Sequence, residues 1–326
     1  MKPKNLTQTP KPRRQSAATT SQVNVQTILA TTDFSKTSHA GVRYAVGLAE
    51  KLNATVALLH VIEPLSRLSG VESVVLARPD SELTGLAQKQ LATLAKHESK
   101  GHVVVTSSVR TGKPFHEITT SAREDRTDLI VIATHGYTGA MRVLLGSTAE
   151  RVVRHAPCPV LTVPAGAPPR RAGQTPAIKV KKILVPMDFS NLSKDALPWA
   201  TFLAAQFKAE VVLLHVVEKS PIDYLVGREL TSHATVPLIK QAEADLERAA
   251  ADLAKSIGIK ISAAVREGKP HEEICAASQA LAVDLIALTT HGYTGLKHAW
   301  LGSTAERVVR HAACPVLVVR APKPDA

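Results

Sequence analysis

Glycines and a helix start occur together in one segment that the chain contains twice. The segment reads THGYTGAMRVLLGSTAERVVRH at 134–155 and THGYTGLKHAWLGSTAERVVRH at 290–311, and 17 of its 22 positions are identical. Glycines let a backbone approach a ligand closely. The following helix start offers unpaired N–H groups and a positive dipole end, which attract anions. The segment is therefore a candidate loop for binding phosphate groups.

The helix in each copy is predicted to start at a serine. Ser147 and Ser303 would be the N-caps, because Glu150 and Glu306 follow three residues later and complete the S-x-x-E pattern of a capping box. A structural alternative stays open, since glycines before a capped helix are common and the segment lacks both G-x4-G-K-[ST] and G-x-G-x-x-G. On spacing alone, a phosphate site and an ordinary loop are both compatible with these residues.

The duplication extends over almost the whole chain. Its offset of 155 or 156 residues is far longer than the roughly 20–50 residues of a solenoid repeat, so it predicts two domains in tandem. We expect domain 1 at 25–164 and domain 2 at 181–320, joined by a linker at 165–180 and preceded by a disordered basic tail at 1–22. The matching stretches are TTDFSK at 31–36 with PMDFSN at 186–191, LLHV at 58–61 with LLHV at 213–216, and DLIVIATHG at 128–136 with DLIALTTHG at 284–292.

Short β-branched runs alternate with helical patterns in each copy. Nearly continuous apolar runs such as LIVIA are typical of strands buried on both faces of a parallel sheet, so each copy is predicted to be a doubly wound α/β domain. The two apolar last strands would be exposed edges unless they pair with each other, which predicts an intrachain pseudo-dimer. In domain 1 the predicted strands are 27–31, 55–62, 102–109, 129–133 and 160–163, and the predicted helices lie near 37–52, 81–99, 114–125 and 147–155.

The net charge of +12 lies mostly outside the predicted domains. Residues 1–22 and 164–182 each carry five basic residues and no acid, so a basic face for specific nucleic-acid binding is not predicted. No apolar run reaches the roughly 18 residues of a membrane helix, and the first residues lack the apolar part of a signal peptide, so we expect a cytoplasmic protein without a membrane partner. Three cysteines without a C-x-x-C pair are interpreted as reduced thiols, and the histidines lack metal-site spacing and are interpreted as structural.

The order of motifs in each copy resembles the universal stress protein domain of the UspA type. It runs from ILATTDFS and ILVPMDFS through LLHV to THG-x9-GS and RHAPCPVLTV or RHAACPVLVV. The resemblance implies a Rossmann-like sheet of five parallel strands in the order 3-2-1-4-5, which commonly dimerises through its last strand. The chain is similar to a tandem protein of the ATP-binding branch, whose motif after strand four is G-x2-G-x9-G-[ST].

The first glycine of that motif is Ala133 in copy one and Thr289 in copy two. Because a β-branched threonine is harder to accommodate beside a phosphate, ATP is expected in domain 1, while its binding in domain 2 stays open. Mg²⁺ would be carried by the phosphates, since this ion is often held mainly by substrate oxygens.

The resemblance assigns adenine and ribose to the ends of strands one and two, and the phosphates to the glycine segment and the following helix. Asp33 has a second interpretation, because D-F-S before a helix is also a turn and cap signal. The implied contacts in copy one are Thr31, Thr32, Asp33, Val61, Ala133, Thr134, His135, Gly136, Tyr137, Thr138, Gly139, Gly146, Ser147, Thr148 and Ala149. Those in copy two are Pro186, Met187, Asp188, Val216, Thr289, Thr290, His291, Gly292, Tyr293, Thr294, Gly295, Gly302, Ser303, Thr304 and Ala305.

The function implied by the resemblance is an ATP-binding protein of the stress response. No catalytic constellation stands out, and two alternatives are an interaction scaffold without nucleotide and a slow ATPase, for which a positioned water beside a bound nucleotide is enough. Besides ATP, the expected partners are the two domains of one chain for each other, and a homodimer is also compatible with the sequence.

Overall fold

The structure is a computed structural model. It describes residues 23–64, 80–99, 102–134, 145–165, 178–190, 193–218, 228–290 and 302–320. The predicted basic tail and most of the predicted linker lie outside the described residues, as do the central parts of both glycine segments.

Domain 1 alternates strands and helices from its first strand to its last. Four of the five predicted strands have the bounds that the apolar runs indicated. The elements are β1 (Thr27–Thr31), α1 (Lys36–Leu52), β2 (Thr55–Ile62), α2 (Asp80–Glu98), β3 (Val105–Thr111), α3 (Pro114–Glu124), β4 (Leu129–Ala133), α4 (Ser147–His155) and β5 (Val160–Val163).

Domain 2 repeats this order with one difference in its first helix. The elements are β6 (Lys182–Pro186), α5 (Leu197–Phe207), β7 (Glu210–Val217), α6 (Arg228–Ile257), β8 (Ile261–Glu267), α7 (Pro270–Ala280), β9 (Leu285–Thr289), α8 (Ser303–His311) and β10 (Val316–Val319). A 3-10 turn, Ser193–Ala196, precedes α5. Pro198 lies in the first turn of α5, where its missing N–H group leaves no hydrogen bond unmade, so this position suits a helix start.

All ten strands form one sheet with the order β3-β2-β1-β4-β5-β10-β9-β6-β7-β8. Within each half the strands are parallel, and their order is the predicted 3-2-1-4-5, which is therefore confirmed. At the junction β5 pairs with β10 in antiparallel register, with Leu161 opposite Leu317. Thr162 Oγ1 also donates to the carbonyl of Val316 at 3.2 Å. The predicted pseudo-dimer of tandem domains is therefore confirmed. Because β5 and β10 are antiparallel, the strands of the two half-sheets point in opposite directions, and their carboxyl ends lie on opposite sides of the molecule along the strand direction.

Two apolar layers cover the sheet, and each contains side chains of both domains. One layer includes Val46 of α1, Leu91 of α2, Leu203 of α5 and Leu246 of α6. The other layer includes residues of α3, α4, α7 and α8, such as Val152 of α4. Because neither layer is interrupted at the β5–β10 junction, burial of apolar surface stabilises the two domains as one unit.

The prediction for the third strand is wrong at both ends. The apolar run at 103–105 indicated a start at His102, whereas β3 begins at Val105. Val103 is buried before the strand starts, and Val104 is 58% exposed, so apolar character did not coincide with strand pairing here. β3 is an edge strand with several exposed polar side chains, for which a hydrophobic pattern is weak.

The three cysteines are free and half-buried. Burial raises the pKa of the Cys158 and Cys314 thiols to about 12, so both stay protonated at neutral pH. In the described part of the chain, no helix has the length and apolarity needed to span a membrane.

Candidate functional site

The carboxyl edge of the domain 1 half-sheet opens into a cavity of about 290 Å³. It lies where β1 and β4 are neighbours and connect to helices on opposite faces, which is where open α/β sheets bind ligands. Every described residue that the sequence analysis assigned to the domain 1 site lines this cavity: Thr31, Thr32, Asp33, Val61, Ala133, Thr134, Gly146, Ser147, Thr148 and Ala149.

Domain 2 contains a matching cavity of about 260 Å³ at the opposite edge of the ten-stranded sheet. All described residues of the second predicted set line it: Pro186, Met187, Asp188, Val216, Thr289, Thr290, Gly302, Ser303, Thr304 and Ala305. The predicted contacts at 135–139 and 291–295 lie outside the described residues, so their assignment stays a prediction.

In each domain a hydrogen bond beside the cavity joins the first residue of the glycine segment to the glycine at the helix start. In domain 1 the Gly146 N–H donates to the Thr134 carbonyl at 2.7 Å, and the Thr134 N–H donates to the carbonyl of Val163 in β5 at 3.0 Å. In domain 2 the Gly302 N–H donates to the Thr290 carbonyl at 2.6 Å. These bonds place the end of β4 or β9 directly against the start of α4 or α8.

The capping-box prediction is wrong in both copies. The N-caps are Gly146 and Gly302, and Ser147 is the first residue of α4. Within the described residues, no side chain caps either helix start. The carboxylate of Glu150, predicted to fold back on the cap, instead pairs with Arg154 at 2.7 Å. The first amides of both helices therefore line the cavities without a side-chain acceptor, which is the arrangement that binds anions at helix N-termini.

A left-handed residue turns the chain sharply after the first strand of each domain. Phe34 has φ 63° and Phe189 has φ 60°, a region that non-glycine residues seldom adopt. Asp33 Oδ1 accepts the Ser35 N–H at 3.0 Å, and Asp188 Oδ1 likewise accepts the Ser190 N–H at 3.0 Å. Asp33 thus makes the turn contact that its sequence context indicated, Asp188 makes the same contact, and both also line their cavities.

A histidine on the second strand holds this turn in each domain. His60 Nδ1 donates to the Thr32 carbonyl at 2.8 Å, and its ring packs on Phe34 with 4.4 Å between centroids. His215 makes the same contact with the Met187 carbonyl at 2.7 Å. A carbonyl oxygen only accepts, so the proton is on Nδ1 in both rings. These histidines position the backbone of the turn.

A model of the universal stress protein family matches residues 24–164 and again residues 179–320. The chain belongs to the universal stress protein family. Each half of the ten-stranded sheet is therefore one universal stress protein domain, and the two are joined through β5 and β10.

Relatives match one half or the whole of the chain. The universal stress protein MJ0531 of Methanocaldococcus jannaschii is 38% identical over 148 residues, which are 44% of this chain and 85% of that protein. The universal stress protein Slr1230 of Synechocystis is 26% identical over 318 residues, which are 91% of this chain and 100% of that protein. The crystal structure of a universal stress protein from Archaeoglobus fulgidus has a TM-score of 0.67 at 22% identity, covers 93% of this chain and 99% of its own, and shares the fold.

The residues that replace the first motif glycine do not close the cavities of this universal stress protein. Gly41 of α1 packs beside Ala133, and a Cβ atom added at Gly41 would lie 3.7 Å from Cβ of Ala133, which is ordinary van der Waals contact. In domain 2 the corresponding pair is Ala196 and Thr289, and the cavity still measures about 260 Å³. Both cavities therefore stay open beside the residue that replaces this glycine.

Sequence reasoning missed the apolar wall of each universal stress protein domain. Leu59, Ile118 and Ile132 line the domain 1 cavity, together with Pro114 at the start of α3. One signal was available, since α3 directly follows β3 and every helix that follows a parallel strand starts at the carboxyl edge of the sheet. The orientation of Ile118 towards the cavity depends on helix packing, which the sequence alone did not reveal.

Proposed function

We propose that this universal stress protein binds ATP in the cavity of domain 1 and a second adenine-containing ligand in the cavity of domain 2, and that the bound nucleotide biases conformation or assembly during the stress response. The observation that carries the proposal is the uncapped first turn of α4. Ser147 and Thr148 of this turn line the same cavity as an apolar wall, and no described side chain caps the helix start. Exposed amides favour phosphate, and the apolar wall favours a base.

The side chains divide the cavity into three regions with different chemistry. Leu59, Val61 and Ile118 offer an apolar surface to an adenine ring. The carboxylate of Asp33 at the end of β1 accepts hydrogen bonds from ribose hydroxyl groups. The start of α4 receives the phosphates, and Mg²⁺ would be held mainly by phosphate oxygens.

The proposal includes the location and limits of the domains. Three free thiols are compatible with a reducing compartment, which supports the cytoplasm. We retain domain limits of 25–164 and 181–320, a tail at 1–22 and a linker at 165–180 as part of this proposal.

The test is a calorimetric titration of the full chain with ATP and Mg²⁺, which reports affinity and stoichiometry. The matched controls are Gly146→Trp and Gly302→Trp, each of which places an indole ring at the helix start in one cavity. Gly146 has φ −60° and Gly302 has φ −62°, so both positions accept a side chain without backbone strain. We expect Gly146→Trp to remove the ATP site of domain 1. Absence of binding to the unmodified chain at millimolar ATP would overturn the proposal.

A further inference from the structure

The two cavities have similar volumes but different charges around them. The first difference is a lysine that precedes the helix at each cavity wall. Lys113 is the N-cap residue of α3, directly before Pro114, and Lys269 is the N-cap residue of α7, directly before Pro270; both prolines line their cavities. Each domain therefore has a lysine side chain at the same position, directly before the proline that lines its cavity.

Only one of these ammonium groups is paired within the described residues. Lys269 Nζ lies 3.2 Å from Oε1 of Glu272. The residue at the position of Glu272 in domain 1 is His116, and Lys113 makes no ion pair with any described residue. Domain 1 thus keeps a positive charge beside its cavity, whereas domain 2 neutralises it.

The other acids near the two cavities correspond to each other. Glu218, which follows β7, lines the domain 2 cavity together with Asp188. Domain 1 has Asp33 and Glu63 at the corresponding positions, with Glu63 directly after β2, so these acids do not distinguish the two domains. Asp195 follows the lining residue Ser193 by two positions and replaces Ala40 of domain 1, but Lys194 beside it replaces His39, so the two changes add no net charge.

The second difference is that the end of the first strand is less polar in domain 2 than in domain 1. Thr31 and Thr32 line the domain 1 cavity, and Pro186 and Met187 replace them in domain 2, where they offer no hydroxyl group. The glycine segments do not offset these differences, since 135–145 contains one arginine and 291–301 contains one lysine. Compared with domain 1, the surroundings of the domain 2 cavity therefore have one acid more at the helix that follows the third strand, Glu272, and two hydroxyl groups fewer at the end of the first strand.

We infer that the two domains select ligands by charge: domain 1 takes the nucleoside triphosphate, and domain 2 takes an adenine ligand with few negative charges, such as adenosine or its monophosphate. The inference rests on the proposed adenine-binding function of both cavities. A carboxylate about 4 Å from a phosphate lowers affinity about fivefold in bulk water and more in a cleft of lower dielectric. Each further phosphate therefore opposes binding in domain 2 and favours it in domain 1.

The first experiment titrates each domain of the full chain separately. Gly302→Trp leaves the domain 1 site, and Gly146→Trp leaves the domain 2 site. Adenosine, AMP, ADP and ATP are the probes, each measured by calorimetry with Mg²⁺ at low and high salt. We expect the affinity of domain 1 to rise at least about tenfold from adenosine to ATP, and that of domain 2 to stay level or to fall.

The second experiment exchanges the residues that set the lysine charge. His116→Glu introduces the acid that pairs with lysine in domain 2, and we expect it to lower the ATP affinity of domain 1 about fivefold with adenosine unaffected. Glu272→His releases Lys269 and should raise the ATP affinity of domain 2 by a similar factor. Both effects should shrink at high salt. Glu247→His on the exposed side of α6 makes the same change of charge at a distance and is the control.

The outcomes separate the inference from the proposed function. If neither cavity binds adenosine or any of the nucleotides, the proposed function fails and the inference fails with it. If both domains bind and show the same dependence on phosphate number, the inference is overturned while the proposed function stands. The inference is likewise overturned if the exchanged variants behave like Glu247→His, or if domain 2 prefers ATP to adenosine.

Discussion

Arg154 of domain 1 lies with its Nη2 atom 3.2 Å from Oε2 of Glu306 in domain 2. The same guanidinium group is 2.7 Å from Glu150, and Arg310 reaches Glu306 at 3.0 Å. Glu150 and Glu306 are in the first turns of α4 and α8, the helices whose N-termini line the two cavities. The helices proposed to hold phosphate are therefore also joined to each other across the domain boundary.

Removal of Arg154 should weaken this connection. Because the pair with Glu306 is partly exposed, we expect Arg154→Met to lower the free energy of unfolding by about 1 kcal/mol. Urea denaturation followed by circular dichroism measures the change. Arg248→Met is the control, because its pair with Asp245 on α6 is more exposed and lies within one helix. Equal losses in the two variants would contradict a specific role of the domain boundary.

Truncation of the strand junction should destabilise the whole chain. Leu161 of β5 is 2% exposed and lies opposite Leu317 of β10. Leu161→Ala removes buried apolar volume from a layer shared by both domains, so we expect a loss of about 2–5 kcal/mol in the free energy of unfolding. Leu86→Ala at a position that is 42% exposed should change it by less than about 0.5 kcal/mol. A separate transition for domain 2 that is unchanged by Leu161→Ala would argue against a shared core.

Loss of the histidine that holds the first turn should affect both stability and binding. His60→Phe keeps an aromatic ring against Phe34 but leaves the buried Thr32 carbonyl without its donor, at a cost of about 1–3 kcal/mol. We also expect weaker ATP binding in domain 1, because Asp33 follows Thr32 directly. His215→Phe in domain 2 is the matched variant and should leave the domain 1 affinity unchanged. Calorimetry and urea denaturation of both variants provide the measurements.

The stability of the protein should fall in mild acid. Burial, together with the charge of Arg43, lowers the pKa of His39 below its ordinary value of 6.5, and Nε2 of this ring is buried with no hydrogen-bond partner among the described residues. Between the folded and unfolded pKa values the unfolded chain binds more protons than the folded chain, so acid favours unfolding. The free energy of unfolding is therefore highest above pH 6.5 and decreases as pH falls through the lower pKa of the folded state. Burial lowers the pKa of His271 in the same way.

This pH dependence can be assigned to His39 by substitution. We expect His39→Gln to reduce the decrease in the free energy of unfolding between pH 7.5 and pH 5.5, because glutamine does not titrate. Urea denaturation at both pH values, on the variant and the unmodified chain, gives the two slopes. An identical slope for His39→Gln would show that other groups cause the decrease.

Much of the fold was predictable because the strands are strongly apolar and the motifs occur twice. The bounds of β1, β2, β4 and β5 follow the apolar runs directly, and the duplicated last strand predicted the β5–β10 junction. The edge strand β3 was placed wrongly, since its polar side chains carry no such signal.

The candidate site was only partly predictable for a different reason. The assigned residues of the first and fourth strands meet at one edge because the parallel strand order requires it. The capping box failed because Gly146 is the N-cap, which puts Ser147 inside the helix, and Glu150 pairs with Arg154 one turn later. The contribution of Ile118 depends on how α3 packs on the sheet, and that contact joins segments distant in the sequence.

The antiparallel contact between β5 and β10 has a consequence for access to the two cavities. Their mouths open towards opposite poles of the molecule, separated by the full length of the strands between them. A macromolecule that covers one mouth leaves the other exposed to solvent, so a small molecule can enter or leave there while the first is occluded. One chain thereby presents two cavities that two different neighbours can cover at the same time.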